Sequence, residues 1–208
     1  ASYLRQRLGT SRDQASFQDY VHQMNNTLLG YGITSVQDAG PANGPDRWQT
    51  FQELQSSGTL QCRVTMFAGA SRLAEFHSAG LTWGAGNDRL RLGHAKIMLT
   101  LTTGALEPNL RALGDIVDDA HRSGFPVAIH AIEQEAIEAA VQVLSDAAPF
   151  PGLASANSAQ PIDRIEHCAE CPPRLVAEIA KSGCMVVTQP GFVYWTGDNY
   201  LERVDANM

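Results

Sequence analysis

The sequence has no long apolar run and no cluster of basic residues, and both absences restrict its function. Its uninterrupted apolar stretches are about six residues long, whereas a membrane-spanning helix needs roughly 20. Its 15 Lys and Arg residues are scattered among 22 Asp and Glu residues, and the formal net charge is −7. A nucleic-acid backbone or an anionic membrane surface would need a basic patch. We therefore expect a small-molecule partner and no nucleic-acid or membrane partner.

Cysteine is also scarce, with four residues among 208: Cys62, Cys168, Cys171 and Cys184. So few cysteines do not make a disulfide scaffold, and we expect reduced thiols and a cytoplasmic location. Cys168 and Cys171 have C-x-x-C spacing, but no second pair or histidine cluster completes four zinc ligands. A zinc knuckle and a thioredoxin-like redox motif are alternatives, and we favour an incidental pair beside a functional site.

Several familiar catalytic and nucleotide-binding motifs are missing as well. No G-x-G-x-x-G follows a strand into a helix, and neither a P-loop nor a G-x-S-x-G elbow occurs. These absences disfavour nucleotide binding and serine hydrolysis. With 44% hydrophobic and 18% charged residues, the chain nevertheless has the composition of one ordinary globular domain.

Short apolar segments recur at a regular interval and predict parallel strands. Six of them are bounded by turn residues: 33–38, 62–67, 94–99, 126–131, 163–167 and 184–189. Their first residues are 29, 32, 32, 37 and 21 positions apart, and a (β/α)₈ barrel averages roughly 31 residues per strand–helix unit. Helical patterns fill the intervals, at 13–29, 47–56, 107–123, 133–144 and 173–182, with a weaker one at 71–78. This alternation predicts an α/β fold, a partial TIM-type β/α barrel with about six parallel strands.

Three basic side chains lie at or near the ends of consecutive predicted strands. Lys96 shares a strand face with His94 and Met98, while the apolar residues of that strand face the helices. His130 and His167 end the next two strands. A single histidine in such a place is more often structural, but two on consecutive strands can converge at one mouth of a barrel. The pattern therefore indicates a metal site.

The buried position of Lys96 has two interpretations. An interior amine is costly unless it is paired, deprotonated or modified, and carbamylation would convert it into a carboxylate that can bridge two divalent cations. The alternative is a lysine at the rim whose ammonium reaches water. Glu166 faces the opposite way from His167, and we expect it to be a structural partner of Arg164 or of a neighbouring strand. Three histidines fall within helical patterns and receive no functional role: His22, His77 and His121.

Five segments, in order, resemble successive landmarks of the amidohydrolase superfamily. They are residues 32–40 (GITSVQDAG), 96–98 (KIM), 127–132 (VAIHAI), 164–167 (RIEH) and 189–198 (QPGFVYWTGD). They are most similar to the branch that includes N-substituted formamide deformylases and relatives of N-acyl amino-acid deacylases. The resemblance implies a metal-dependent barrel in which a lysine, carbamylated in many members, and one histidine from each of the next two strands hold the metal. These positions correspond to Lys96, His130 and His167.

The resemblance also implies parts that this sequence does not contain. Members take a His-x-His pair from the first barrel strand and an aspartate, the usual proton acceptor from the attacking water, from the eighth. Neither is found, and the chain begins without Met. We therefore expect residues 1–208 to be a truncated single catalytic-barrel domain with strands two to seven. Within it, Glu133-Gln134 stands where the branch commonly has Gly-Asp, and residues 98–104 lack its usual acidic residue and Gly-Ser-rich loop.

We expect the parent enzyme to hydrolyse a non-peptide, amide-type C–N bond through water activated by one or two divalent ions, with zinc as the expected metal. The expected catalytic and metal-binding residues are Lys96, His130 and His167. The expected substrate-binding residues are Tyr194, Trp195 and Asp198, although a packed, partly exposed loop is the alternative for these three. A phosphotriesterase-like or deaminase-like relative would share the same ligands.

The main alternative is a catalytically inactive partial barrel that acts as a scaffold or a self-association module. Six parallel strands without closure leave open edges at residues 33–38 and 184–189. The backbone groups of such edges need partners. This interpretation predicts a homo-oligomer formed through the sheet edges.

Overall fold

The computed structural model describes residues 14–101, 104–148, 163–192, 194–195 and 197–198. Helices and strands alternate along these residues. The elements are α1 (Gln14–Gly30), β1 (Ser35–Asp38), α2 (Pro45–Ser56), β2 (Arg63–Gly69), a 3₁₀ turn (Ala70–Arg72), α3 (Leu73–Ser78), β3 (Leu90–Met98), α4 (Leu110–Arg122), β4 (Val127–Ala131), α5 (Gln134–Asp146), β5 (Arg164–His167), α6 (Pro173–Ser182) and β6 (Met185–Val187).

The six strands form one parallel sheet in the order β1-β2-β3-β4-β5-β6. A contact between the first and the fifth strand shows that the sheet is curled: Arg164 Nη2 on β5 donates to Gln37 Oε1 on β1 at 2.9 Å. The prediction of an α/β fold with six parallel strands of a partial TIM-type barrel is confirmed. Each predicted strand is present, with bounds that differ by a few residues.

The helices cover the outer face of the sheet with their apolar sides. In α4, Leu113, Val117 and Ala120 are buried at helical spacing, and Asn109 caps the helix by accepting a hydrogen bond from the Ala112 N–H at 3.0 Å. α5 buries alanines and branched aliphatic residues in the same core. In the part of the chain that the structure describes, no helix is long and apolar enough to cross a membrane.

A bulge in β3 sets which of its residues face the barrel interior. The register between β2 and β3 shifts by one residue, so Gly93 and His94 together oppose Phe67. The apolar residues on both sides of the bulge belong to the helix-side core: Leu90, Leu92, Ala95 and Ile97. A Cβ atom on Gly93 would lie 2.8 Å from Phe67 Cδ1, so the close approach requires glycine. Beyond the bulge, His94 and Lys96 therefore share the interior face.

The interior face of the sheet is buried but far more polar than the helix-side core. Phe67 and Ala128 are fully buried there and lie outside the helix-side cluster. Four polar or charged residues on this face are at most 5% exposed: His94, Lys96, Arg164 and Glu166. Buried charges are costly unless they are paired, so this composition distinguishes the interior from an ordinary apolar core.

His121, which received no role from the sequence, is a buried structural residue. Its side chain lies at the end of α4, where His121 Nε2 and Asp163 Oδ1 are 3.0 Å apart and His121 Nδ1 and the Ala148 oxygen are 3.1 Å apart. Asp163 also accepts a hydrogen bond from the Val127 N–H at 2.8 Å. The imidazole and the carboxylate thus join α4 to the beginnings of β4 and β5.

Candidate active site

His130 and His167 meet at the carboxyl edge of the sheet. His130 is the last residue but one of β4, and His167 is the last residue of the adjacent parallel strand β5. Their ring centroids are 4.6 Å apart at an interplanar angle of 72°. In α/β barrels this edge carries the active-site loops. The structure therefore brings together the two histidines that the sequence places at strand ends.

The backbone of His167 has an unusual conformation that explains how its ring reaches this position. Glu166 faces the interior, so an extended His167 would direct its side chain toward the helices. Instead, His167 and Cys168 have φ angles of 76° and 50°, in the left-handed region that residues other than glycine seldom occupy. The Cys168 N–H donates to the Ala131 oxygen at 2.9 Å and secures the turn. Such strained conformations are concentrated at functional sites.

Lys96 lies below this pair, on the interior face of β3. It is 4% exposed, so its ammonium is not a solvated group at the rim. Lys96 aligns with Ala128, and the adjacent interior residue of β4 toward the rim is His130. Burial lowers the pKa of Lys96 to about 8; the charge of Glu166 opposes this shift and that of Arg164 adds to it.

Burial also keeps the imidazole of His130 neutral. It lowers the pKa of His130 to about 4, and the positive charges of His167 and Lys96 add to the shift. A neutral imidazole has one nitrogen with a free lone pair, which is the form that binds a metal ion. The influence of His167 and Lys96 on this single ring shows that the three side chains share one electrostatic environment.

Arg164 and Glu166 form a buried ion pair on the interior face of β5, in agreement with the expected role of Glu166. Arg164 Nε donates to Glu166 Oε1, and both side chains are 7% exposed. The guanidinium carbon lies 4.7 Å from the centroid of the Phe67 ring, and Nη2 donates to Gln37. Arg164 is thus engaged by β1, β2 and β5. The sequence signal was its spacing of two from Glu166, which places both on one strand face.

Two residues of the segment after β6 contact the His167 ring. His167 Nδ1 and Gln189 Oε1 are 2.6 Å apart. The ring of Phe192 stacks on His167 with a centroid distance of 5.8 Å and an interplanar angle of 20°. The sequence predicted no role for either residue, since a contact such as that between His167 and Gln189, 22 positions apart, leaves no local pattern.

Tyr194, Trp195 and Asp198 are exposed in the structure. Tyr194 is 83% and Trp195 is 80% exposed, and their rings contact each other at a centroid distance of 5.2 Å. Of the aromatic residues in this segment, Phe192 has a described ring contact with His167. No described ring contact joins Tyr194 or Trp195 to the histidine pair, and the role of the three residues in substrate binding stays a prediction.

The side chains at the site offer two ordinary metal ligands and one amine. In the described ranges, no group of three or more His, Cys, Asp or Glu side chains could hold a metal ion. His130 and His167 are suitable donors, because the first is neutral and the two rings are in contact. A third donor on these strands would have to be Lys96, which becomes an oxygen ligand only after carbamylation. The donor set fits a divalent ion on that condition.

Cys168, next to His167, does not have the properties of a reactive thiol. Cys168, Cys171 and Cys184 are free and half-buried. Burial raises the pKa of the Cys168 thiol to about 12, and the neighbouring Cys171 and Cys184 add to this. A reactive cysteine needs a lowered pKa, so Cys168 is better described as a packed thiol beside the site.

Comparisons with known proteins bear on the family and the fold of the chain. The model of the amidohydrolase family matches residues 2–208. The chain is similar to the crystal structure of an uncharacterized metal-dependent hydrolase from Pyrococcus horikoshii OT3, with 23% identity, a TM-score of 0.71, and coverage of 91% of this chain and 40% of the other. It is also similar to an uncharacterized metal-dependent hydrolase from Pyrococcus furiosus, with 19% identity, a TM-score of 0.68, and coverage of 90% and 40%.

No curated protein matches the chain. The chain spans about 40% of the length of the two solved structures. At these identities, the structural likeness is evidence of a shared fold. The family match extends over nearly the whole sequence, and the chain belongs to the amidohydrolase family.

Proposed function

We propose that this chain is part of a metal-dependent hydrolase that cleaves a non-peptide, amide-type C–N bond. The observation that carries the proposal is the meeting of His130 and His167 at the carboxyl edge of the sheet, next to the buried amine of Lys96. Family membership supports hydrolysis. The amide-type substrate, and the branch of formamide deformylases and N-acyl amino-acid deacylases, are supported by the five sequence segments.

Lys96, His130 and His167 would hold one or two divalent ions, and we propose zinc. A bound ion would supply a water with a pKa lowered toward ~7 and a Lewis acid for the scissile carbonyl. The neutral ring of His130 and the contact between the two rings prepare the imidazole donors.

The burial of Lys96 favours the uncharged amine that carbamylation requires. With a pKa of about 8, about a tenth of the amine is uncharged at pH 7, and the uncharged form is the one that reacts with carbon dioxide. The interior near Lys96 carries the positive charges of Lys96 and Arg164 and the negative charge of Glu166. Conversion of the amine to a carbamate replaces a positive charge by a negative one, which Glu166 opposes more strongly than Arg164 supports, so the carbamate would depend on the divalent ions that it binds.

The proton acceptor of the reaction would be supplied by a residue outside the described part of the chain. We propose that residues 1–208 correspond to strands two to seven of a single catalytic-barrel domain. The coverage of about 40% of the related structures supports this proposal. We further propose a small-molecule amide as the substrate and a cytoplasmic location.

Metal analysis of the purified chain tests the proposal without requiring a complete active site. We expect wild type to bind zinc, and His130→Ala, His167→Ala and Lys96→Met each to weaken binding at least tenfold by competition with a chromogenic chelator. His22→Ala is the matched control, because His22 is exposed on α1. Unchanged affinity in the double variant His130→Ala/His167→Ala would show that the metal lies elsewhere. Release of amine from N-formyl and N-acyl amines then tests the reaction.

A catalytically inactive, self-associating partial barrel is the second candidate, and the two outer strands favour it, since among the described residues each pairs on one side only. At β6, Met185 is 45% and Val186 is 37% exposed, and Ile33, just before β1, is 40% exposed. Apolar edge strands tend to pair with another chain. Sedimentation velocity would show a dimer or larger assembly that persists on dilution. A chain that stays monomeric as its concentration is raised contradicts this candidate, and so does a metal-loaded chain with activity.

A further inference from the structure

Gln189 makes a short polar contact with the His167 ring. It lies just after β6, and the 2.6 Å between its Oε1 atom and His167 Nδ1 is a full hydrogen bond. In the amide orientation of this structure, the carbonyl oxygen faces the ring and can only accept, which places the proton on Nδ1. In the neutral ring, the lone pair is then on Nε2, at the opposite side of the imidazole from Gln189.

Two aromatic contacts also fix the orientation of the His167 ring. Phe192 stacks on His167 with an interplanar angle of 20°, and His130 contacts the ring edge-on at 4.6 Å between centroids. These contacts restrict rotation about the side-chain bonds, while Gln189 determines which nitrogen is protonated. The left-handed backbone of His167 (φ 76°) costs conformational energy, and such a conformation persists where surrounding contacts hold it.

We propose that Gln189 is a positioning residue: its carbonyl oxygen fixes His167 as the Nδ1–H tautomer and reserves Nε2 as the ligand atom. The purpose of this arrangement rests on the proposed function, but the tautomer itself does not. Metal-binding histidines generally donate their second N–H to an outer partner, and loss of that partner weakens metal affinity by about 10- to 100-fold. Here the partner is a neutral amide from the following unit of the barrel, so the segment after β6 controls a ligand on β5.

Long-range ¹H–¹⁵N NMR on the metal-free chain tests the tautomer at about pH 8, where an ordinary histidine is neutral. We expect a pyrrole-type Nδ1 and a pyridine-type Nε2 for His167 in wild type. In Gln189→Leu, we expect this preference to be lost, whereas Gln189→Glu retains an acceptor and keeps it. Gln142→Leu is the control, since Gln142 is exposed on α5.

Zinc affinity provides the second readout. We expect Gln189→Leu to weaken zinc binding 10- to 100-fold, and Gln189→Glu and Gln142→Leu to stay within about threefold of wild type or bind more tightly. A wild-type His167 with the proton on Nε2, or a Gln189→Leu chain with unchanged NMR signals, overturns the inference. A wild-type chain that shows the Nδ1–H tautomer but binds no zinc contradicts the proposed function and supports the positioning role. The two failures are therefore distinguishable.

Discussion

Replacement of Arg164 by alanine is expected to destabilise the chain far more than replacement of Arg174, although each arginine forms an ion pair with a glutamate. The Arg164–Glu166 side chains are 7% exposed, whereas those of Arg174 and Glu138 are 53% and 37% exposed. In Arg164→Ala, the carboxylate of Glu166 would stay in the barrel interior without its partner. In Arg174→Ala, water replaces the lost contact.

These environments determine the size of the two effects. Breaking a buried pair by removing one partner costs about 3–5 kcal/mol, and loss of the guanidinium over the Phe67 ring adds about 0.5–2 kcal/mol. Loss of an exposed pair costs about 0–1 kcal/mol. The double variant Arg164→Met/Glu166→Leu removes both charges together, so we expect its unfolding free energy to return close to that of wild type.

Equilibrium unfolding in urea, followed by far-ultraviolet circular dichroism, measures these differences. With a slope of about 2–3 kcal/mol per molar urea, the midpoint of Arg164→Ala should fall by roughly 1–3 M, and that of Arg174→Ala by less than about 0.5 M. If both single variants unfold at the same urea concentration, the buried pair has no special cost. If the double variant is as unstable as Arg164→Ala, the unpaired carboxylate is not the cause.

Two further predictions concern stability elsewhere in the chain. Burial lowers the pKa of His121, but the hydrogen bond and charge of Asp163 outweigh it and leave the pKa raised. The stability that the raised pKa of His121 contributes is fully present below the unfolded pKa of about 6.5 and is lost as the pH rises through the folded value. The difference in unfolding free energy between wild type and His121→Gln should therefore narrow from about pH 6 upward. A difference that stays constant with pH contradicts this prediction. Gly114→Ala in α4 should raise the unfolding free energy by about 0.5–1 kcal/mol, because the new Cβ would meet no atom within 4 Å. Gly69→Ala should lower the unfolding free energy, because the new Cβ would lie 2.4 Å from the Pro41 oxygen. Thermal melts that shift in the same direction for both variants would refute the second prediction.

The sheet could be predicted from the sequence because its strands are short apolar segments at a regular interval. The clearest error concerns β3, whose predicted start at residue 94 misses Leu90–Gly93. The bulge inserts one residue at this point, so the alternation of apolar and polar positions changes phase between the two halves of the strand. A reading by strict alternation finds only the half that contains Lys96.

The site was predicted only as far as local patterns reach. The ends of their strands place His130 and His167 at one edge of a parallel sheet, with Lys96 on the interior face below them, which is a property of the fold class. The left-handed turn at His167 has no sequence signal, because residues other than glycine adopt it only where tertiary contacts hold it. Gln189 and His121 were missed for a related reason: their partners are 22 and 42 positions away.

The hydrogen bond between Arg164 and Gln37 also bears on how the chain folds. Its partners are 127 positions apart in sequence and belong to the first and fifth of six adjacent strands. The bond cannot form until the intervening strands have assembled and the sheet has curved, so it carries a large loop-closure entropy that neighbouring strand pairs do not. We expect it to form after the rate-limiting step, and its loss to accelerate unfolding while leaving the folding rate almost unchanged.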